Sequence, residues 1–131
     1  MPQDYQTTKN NQYLIPETAY RRVIAVVRDY DRRKEQYDNL PSDDMAVGFV
    51  RGTASLKKTD NTQRIGILRA EISKELSAVD RAIGVIPVAY RKGVLDKMCN
   101  NTPYPSNASR NTYTNYKRLL VYEIAENMGL I

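Results

Sequence analysis

Residues Ile86–Ile131 read IPVAYRKGVLDKMCNNTPYPSNASRNTYTNYKRLLVYEIAENMGLI, and this stretch decides the fold. Proline has no N–H and disfavours helical geometry in the residue before it, so Pro87 breaks the helix that precedes it. Pro87 then stands in the first turn of a third helix, Val88–Asn100. Val88, Tyr90, Val94, Leu95 and Met98 supply the apolar side of that helix, and Arg91, Lys92 and Lys97 the basic one. Pro103 and Pro105 keep Asn101–Ala108 out of regular helix. Asn107 or Ser109 can cap a fourth helix. On it Tyr116, Leu120, Ile124 and Met128 recur at a spacing of four, with Tyr113 and Leu119 at the flanks, and this stripe is expected to face a core. Arg110, Asn111, Thr114, Asn115, Lys117 and Arg118 are expected mostly on the opposite side of its first two turns. Gly129 suits a left-handed cap, with Leu130 and Ile131 folding back on the helix end.

Upstream of Pro87, Ile65, Leu68, Ile72, Leu76, Val79, Ile83 and Ile86 follow spacings of 3, 4, 4, 3, 4 and 3. This is a heptad-like seam and predicts a second helix over Thr62–Ile86, capped by Asp60 or Asn61. Earlier still, Tyr20, Val23, Ile24, Val27, Tyr30 and Tyr37 form an apolar stripe. It predicts a first helix from Pro16 or Glu17 to about Asp38, with Glu17 complementing the positive end of its dipole. Its outer face mixes Arg21, Arg22, Arg28, Arg32, Arg33 and Lys34 with Glu17, Asp29, Asp31, Glu35 and Asp38, as a solvated face does. Residues 40–61 read as a linker, loosened by Gly48 and Gly52, with Phe49 and Val50 as an anchor to the core. Asp43 and Asp44 within it lack further ligands at metal spacing. Residues 1–15 read as a mobile tail, tied down by Tyr5 or Tyr13. The two long helices can pack as an antiparallel hairpin, and the seam can also pair with a second copy of the chain.

The expected fold is therefore all-α: a long helical hairpin over 16–86, followed by a helix-turn-helix-like pair over 87–131. With 131 residues, 41% of them apolar, the chain is sized for one small domain with a helical core. No apolar run approaches the ~18 residues of a membrane span. The polar start MPQDYQTTKNNQ argues against a signal peptide and for a cytoplasmic chain. There the triplets Asn100-Asn101-Thr102 and Asn107-Ala108-Ser109 would never meet a glycosylation machinery. Cys99 is the single cysteine, which suits a reducing compartment. Beside Met98 and with no histidine in the chain, it reads as a small half-buried thiol rather than a nucleophile.

Charge points to the partner. Between Val88 and Tyr122 stand Arg91, Lys92, Lys97, Arg110, Lys117 and Arg118 against Asp96 alone, and this excess equals the net charge of the whole chain, +5. Such a local excess suits a polyanion, although a solvated basic surface has the same composition. Catalysis is poorly supported: the chain has no histidine, no glycine-rich phosphate loop after a strand and no metal-spaced ligand set, so neither an enzyme nor a cofactor is expected. A DNA-reading helix needs first turns free of bulky apolar groups, amide or guanidinium side chains for base edges, and hydroxyls and cations for phosphates. The start of the fourth helix offers all three. Arg110, Asn111 and Asn115 are the candidate base readers. Ser109, Thr112, Thr114, Lys117 and Arg118 are candidate phosphate contacts, joined by Arg91 and Lys92. The blander reading is that these Asn and Thr residues only cap and solvate a helix start.

Two motifs, Ile-Pro-x-x-Tyr-Arg at 86–91 and Ala-Ser-Arg-Asn-Thr-Tyr at 108–113, together with YLIPETAYRRVIAVVRDYDRRKEQYDNL at 13–40, resemble the RinA-type (ArpU-like) late-gene transcriptional activators of phages and prophages of Gram-positive bacteria. The resemblance implies a C-terminal helix-turn-helix similar to region four of bacterial sigma factors. It also implies binding of double-stranded DNA upstream of structural or packaging genes, and recruitment of host RNA polymerase. The third helix would support and the fourth would read. The connector from Asn100 to Ala108 is longer than the usual turn of ~3–4 residues. A helical phage assembly protein, or a small-terminase-like packaging protein, is the alternative from another class.

Overall fold

Apolar residues recurring every three or four positions yield five α-helices and no strand among the described residues. The computed structural model describes Gln6, residues 9–41 and residues 55–131, with backbone alone at 55–60. The helices are α1 (Glu17–Arg28), α2 (Tyr30–Asp38), α3 (Ser55–Ile83), α4 (Val88–Asn100) and α5 (Arg110–Asn127). The fold is all-α. No described helix is long and apolar enough to cross a membrane.

The expected first helix is divided at Asp29, whose φ of −95° and ψ of 2° lie off the helical basin. An aspartate side chain competes for local partners; here it bonds Arg32 Nε at 2.6 Å, and α2 sets off from it. The second helix starts earlier than expected. It runs through Asp60 and Asn61, which therefore do not cap it, and ends at Ile83 rather than Ile86. Residues 84–86 tighten into a turn in which Val85 N–H bonds Ala82 O and Ile86 N–H bonds Ile83 O, both at 3.0 Å. Pro87 enforces this stop and is the residue before α4 rather than within its first turn. Ile86 stays buried outside the helix. The loop expectations at Asp43, Asp44, Gly48, Phe49, Val50 and Gly52, and that at Tyr5, lie outside the described residues.

Helices α2 and α3 pair antiparallel, as three cross-links of falling register show. Tyr30 donates to Asp80 (2.6 Å), Arg33 bonds Glu75 through two nitrogens (2.9 and 3.2 Å), and Arg69 reaches the carbonyl of Pro41. Helix α1 instead packs on α4 and α5, while α3 lies along α5. One core joins these elements: Ile15, Tyr20, Val23 and Val27 with Val79, Ala82, Ile86, Val94, Met98, Tyr113, Leu120, Val121 and Ile124. Val88, expected on the apolar side of its helix, is 75% exposed. Its neighbours Pro87 and Ala89 are exposed too, so the buried side of α4 begins later, at Gly93 and Val94.

The N-terminal segment is fastened too. Ile15 is buried, its N–H bonds Gln6 Oε1 at 3.3 Å, and the Tyr13 ring packs 5.6 Å from that of Tyr122 on α5. Helix α5 ends on Gly129 at φ +73°, with Leu130 N–H reaching back to Ala125 O at 2.9 Å, the left-handed cap expected there.

Candidate nucleic-acid interface

The connector between α4 and α5 is long but anchored. Asn101 caps α4 in the left-handed conformation (φ 54°), with Asn101 N–H on Lys97 O and Thr102 N–H on Asp96 O. Tyr104 then stacks on the fully buried Tyr113 at 4.9 Å, and Tyr113 meets Tyr90 of α4 edge-on at 5.4 Å. Tyr90 in turn stacks on Tyr116 at 5.0 Å. Gly93 makes this approach possible: a Cβ there would sit 2.7 Å from the Tyr113 ring and 2.8 Å from Pro105 Cδ. Asn107 accepts the Tyr113 hydroxyl hydrogen bond, so its amide is spent on the connector. Ser109 is the cap of α5; its Oγ accepts Thr112 N–H at 3.2 Å and lies 2.9 Å from Thr112 Oγ1.

The ten candidate residues separate into groups. Ser109, Arg110, Asn111 and Asn115 are exposed, and Lys92 is exposed on α4. No acid occupies the first turn of α5. Thr112 and Thr114 are half-buried, Thr112 engaged with the cap and Thr114 standing against the Tyr104 hydroxyl. Burial pushes that hydroxyl above its ordinary value, with Arg110 and Arg118 acting the other way.

Arg91 does not face outward as a free cation. Its Nε donates to Ile86 O at 2.7 Å, so it ties down a carbonyl left open where α3 ends. Arg118 reaches back to the N-terminal segment, donating to Asn10 O (3.2 Å) and Lys9 O (3.4 Å). Between that segment and α5 lies a cavity of about 330 Å³, lined by Asn10, Tyr13, Asn115, Tyr116 and Arg118. The Asn115 edge of α5 thus borders chain, whereas the Arg110–Asn111 edge is open.

Lys117 departs furthest from expectation. It was placed on the polar side of α5, but it follows Tyr113 by one turn and precedes Val121 by one, and both are buried. Its ammonium lies 5.9 Å from the centre of the Tyr20 ring on α1. Burial, then Lys97, Arg28 and Arg118, push the Lys117 ammonium below its ordinary value. Lys97 and Arg28 lie outside the ten candidates, yet their charges act on Lys117. Lys97 was visible only as a basic residue of α4, and Arg28 as one cation of a mixed face. Nothing in the sequence shows that their charges act on Lys117.

Cys99 is exposed as a residue, with its Sγ 3.7 Å from Val27 O; partial burial pushes the thiol up, away from the thiolate form. Among the described residues no group of three or more acids and cysteines could hold a metal ion. No protein-family model, no curated protein and no solved structure matches the chain.

Proposed function

We propose that this chain is a sequence-specific, double-stranded-DNA-binding regulator of transcription, of the phage late-gene kind its motifs resemble. The observation that carries the reading is the open first turn of α5. Arg110 and Asn111 stand exposed there, behind a satisfied serine cap, with no acid in that turn. Arg can bond guanine through two atoms and Asn can do the same with adenine. The positive end of the helix dipole favours the approach of phosphate at the same place. The stack of Tyr90, Tyr104, Tyr113 and Tyr116 supports the reading by holding the helix start rigidly on α4. Host RNA polymerase as partner, and activation of structural or packaging genes, belong to the same proposal through the resemblance.

The test is a duplex-binding titration with the full chain at 50 and 200 mM salt. A regulator holding ~4–6 phosphates loses affinity by about two to three decades between the two conditions. Lys92→Ala weakens binding to every duplex alike. A salt-independent affinity, or none at 50 mM salt, defeats the proposal. A helical assembly protein remains the second reading, because Ile67 on α3 is 54% exposed beside the half-buried Ile65 and Leu68. Sedimentation showing large oligomers without DNA affinity would favour it.

A further inference from the structure

Between the N-terminal segment and α5 lies a half-open cavity of about 330 Å³. That volume stands at the low end of the ~300–1,000 Å³ of small-ligand sites and suits one flat ring system. Two aromatic rings line it, and each is set by a ring outside it. Tyr13 packs 5.6 Å from Tyr122, and Tyr116 stacks 5.0 Å from Tyr90. The Arg118 guanidinium adds a third flat group, held by its bonds to Asn10 O (3.2 Å) and Lys9 O (3.4 Å). It counts here as a fixed plane rather than as a spare charge. The three come already oriented, so a flat ligand need not order them on binding.

The other polar side chains of the lining, apart from the tyrosine hydroxyls, are carboxamides. Asn10 and Gln12 belong to the segment and Asn115 to α5; all three are exposed, and their side chains make no hydrogen bond among the described residues. A carboxamide holds a donor and an acceptor side by side in one plane. Adenine answers that pattern, because its N6 amino group and N7 take Asn or Gln through two bonds at once. Bases also stack on tyrosine rings and guanidinium planes. No carboxylate lines the cavity, so a cationic ligand meets no counter-charge there. A sugar presents hydroxyls on separate tetrahedral carbons and has no flat face for three planar groups.

We propose that this cavity takes an adenine base, with Asn115 pairing to its hydrogen-bonding edge and Tyr13 stacking on its face. A bound base then bridges the N-terminal segment and α5. The site uses neither Arg110 nor Asn111, so it stands whether or not α5 reads a duplex. Two sources share the chemistry: a free adenine nucleotide, or an unpaired adenine of a nucleic-acid strand.

Calorimetric titration of the full chain with adenosine monophosphate tests the site, with ribose 5-phosphate as the ligand that lacks the base. Adenosine monophosphate should bind saturably at one site per chain, and ribose 5-phosphate should not. Guanosine monophosphate offers two acceptors on the same edge and should bind about 10-fold more weakly. Asn115→Ala should weaken adenosine monophosphate by about 10-fold, the loss of a two-bond pair. Asn115 is exposed, so this variant keeps the fold, which circular dichroism checks. Tyr13→Ala should weaken binding by a similar factor through lost stacking, whereas Tyr13→Phe keeps the ring and the affinity. No saturable binding at millimolar adenosine monophosphate overturns the proposal. So does equal binding of ribose 5-phosphate or guanosine monophosphate, or an unchanged affinity in Asn115→Ala or in Tyr13→Ala.

A short single-stranded oligodeoxyadenosine then names the source, read against oligodeoxythymidine of the same length. Adenine-specific binding tighter than that of the nucleotide, and lost in Asn115→Ala, assigns the site to a strand. Binding no tighter than that of the nucleotide assigns it to the free ligand. Arg110→Ala should leave the affinity for adenosine monophosphate as it is, so the failure of duplex reading and the failure of this site are told apart.

Discussion

Tyr30 bonds Asp80 at 2.6 Å, and burial first, then Asp80, push its hydroxyl up from the usual 10.0 to about 12. A raised value means that the folded state favours the protonated phenol. Its stabilising effect is therefore complete below pH 10 and is lost as the pH climbs through about 12. Tyr30→Phe should cost about 0.5–1 kcal/mol at neutral pH, as a partly exposed hydrogen bond does. It should also flatten the alkaline loss relative to the unaltered chain, measured by urea melts at stepped pH. Lys117 has the opposite sign. Its depressed ammonium costs stability at neutral pH, and the cost is relieved as the pH rises through the lowered value. Gly93 makes a steric prediction. Alanine gains about 1 kcal/mol of helix propensity but meets two ring atoms that cannot swing away, an overpacking cost of about 1–3 kcal/mol. Gly93→Ala should lower stability by a net of up to ~2 kcal/mol and loosen the Tyr104–Tyr113 stack. A stabilised variant would mean the connector does not pack on α4 as described.

Among the elements, α2 is held to α3 chiefly by polar cross-links, since α2 contributes no fully buried residue. The Arg33–Glu75 pair is 17% and 24% exposed, between the exposed pairs worth ~0–1 kcal/mol and the buried ones whose breakage costs ~3–5. Glu75→Ala should therefore cost about 1–2 kcal/mol and speed amide exchange in α2 before α1, which sits in the core. The helices were legible where apolar residues repeat: Val23 and Val27 on α1, Ile72 and Val79 on α3, and Leu120 and Ile124 on α5 are all buried. The break at Asp29 was not legible, because the apolar stripe runs on through Tyr30. Residue type alone puts Lys117 on the polar side of α5, and its half-buried place shows that position outweighs type there. Its spacing from Tyr113 and Val121 already put it on the buried stripe.

In the whole molecule, α1 does not stand apart with α3 as an arm. It completes the core beneath α4 and α5, so the open turn at Arg110 rests on a core shared by α1, α3, α4 and α5. Spacing could not reveal this, since an amphipathic stripe names a buried face and not the element that buries it. Of the candidate site, the exposed Arg110, Asn111 and Lys92 were readable from residue type and cap position. The use of Arg91 on Ile86 O and of Arg118 on the N-terminal segment depended on contacts across 5 and 108 positions, the second far beyond any local pattern. Selection from a pool of randomised duplexes, run with the full chain and with Arg110→Ala, probes base reading at α5 most directly. The unaltered chain should enrich one sequence containing a guanine that Arg110→Ala no longer selects, while the variant keeps its weak binding to all duplexes. Enrichment of nothing by the unaltered chain, or of the same sequence by both, would contradict base reading by α5.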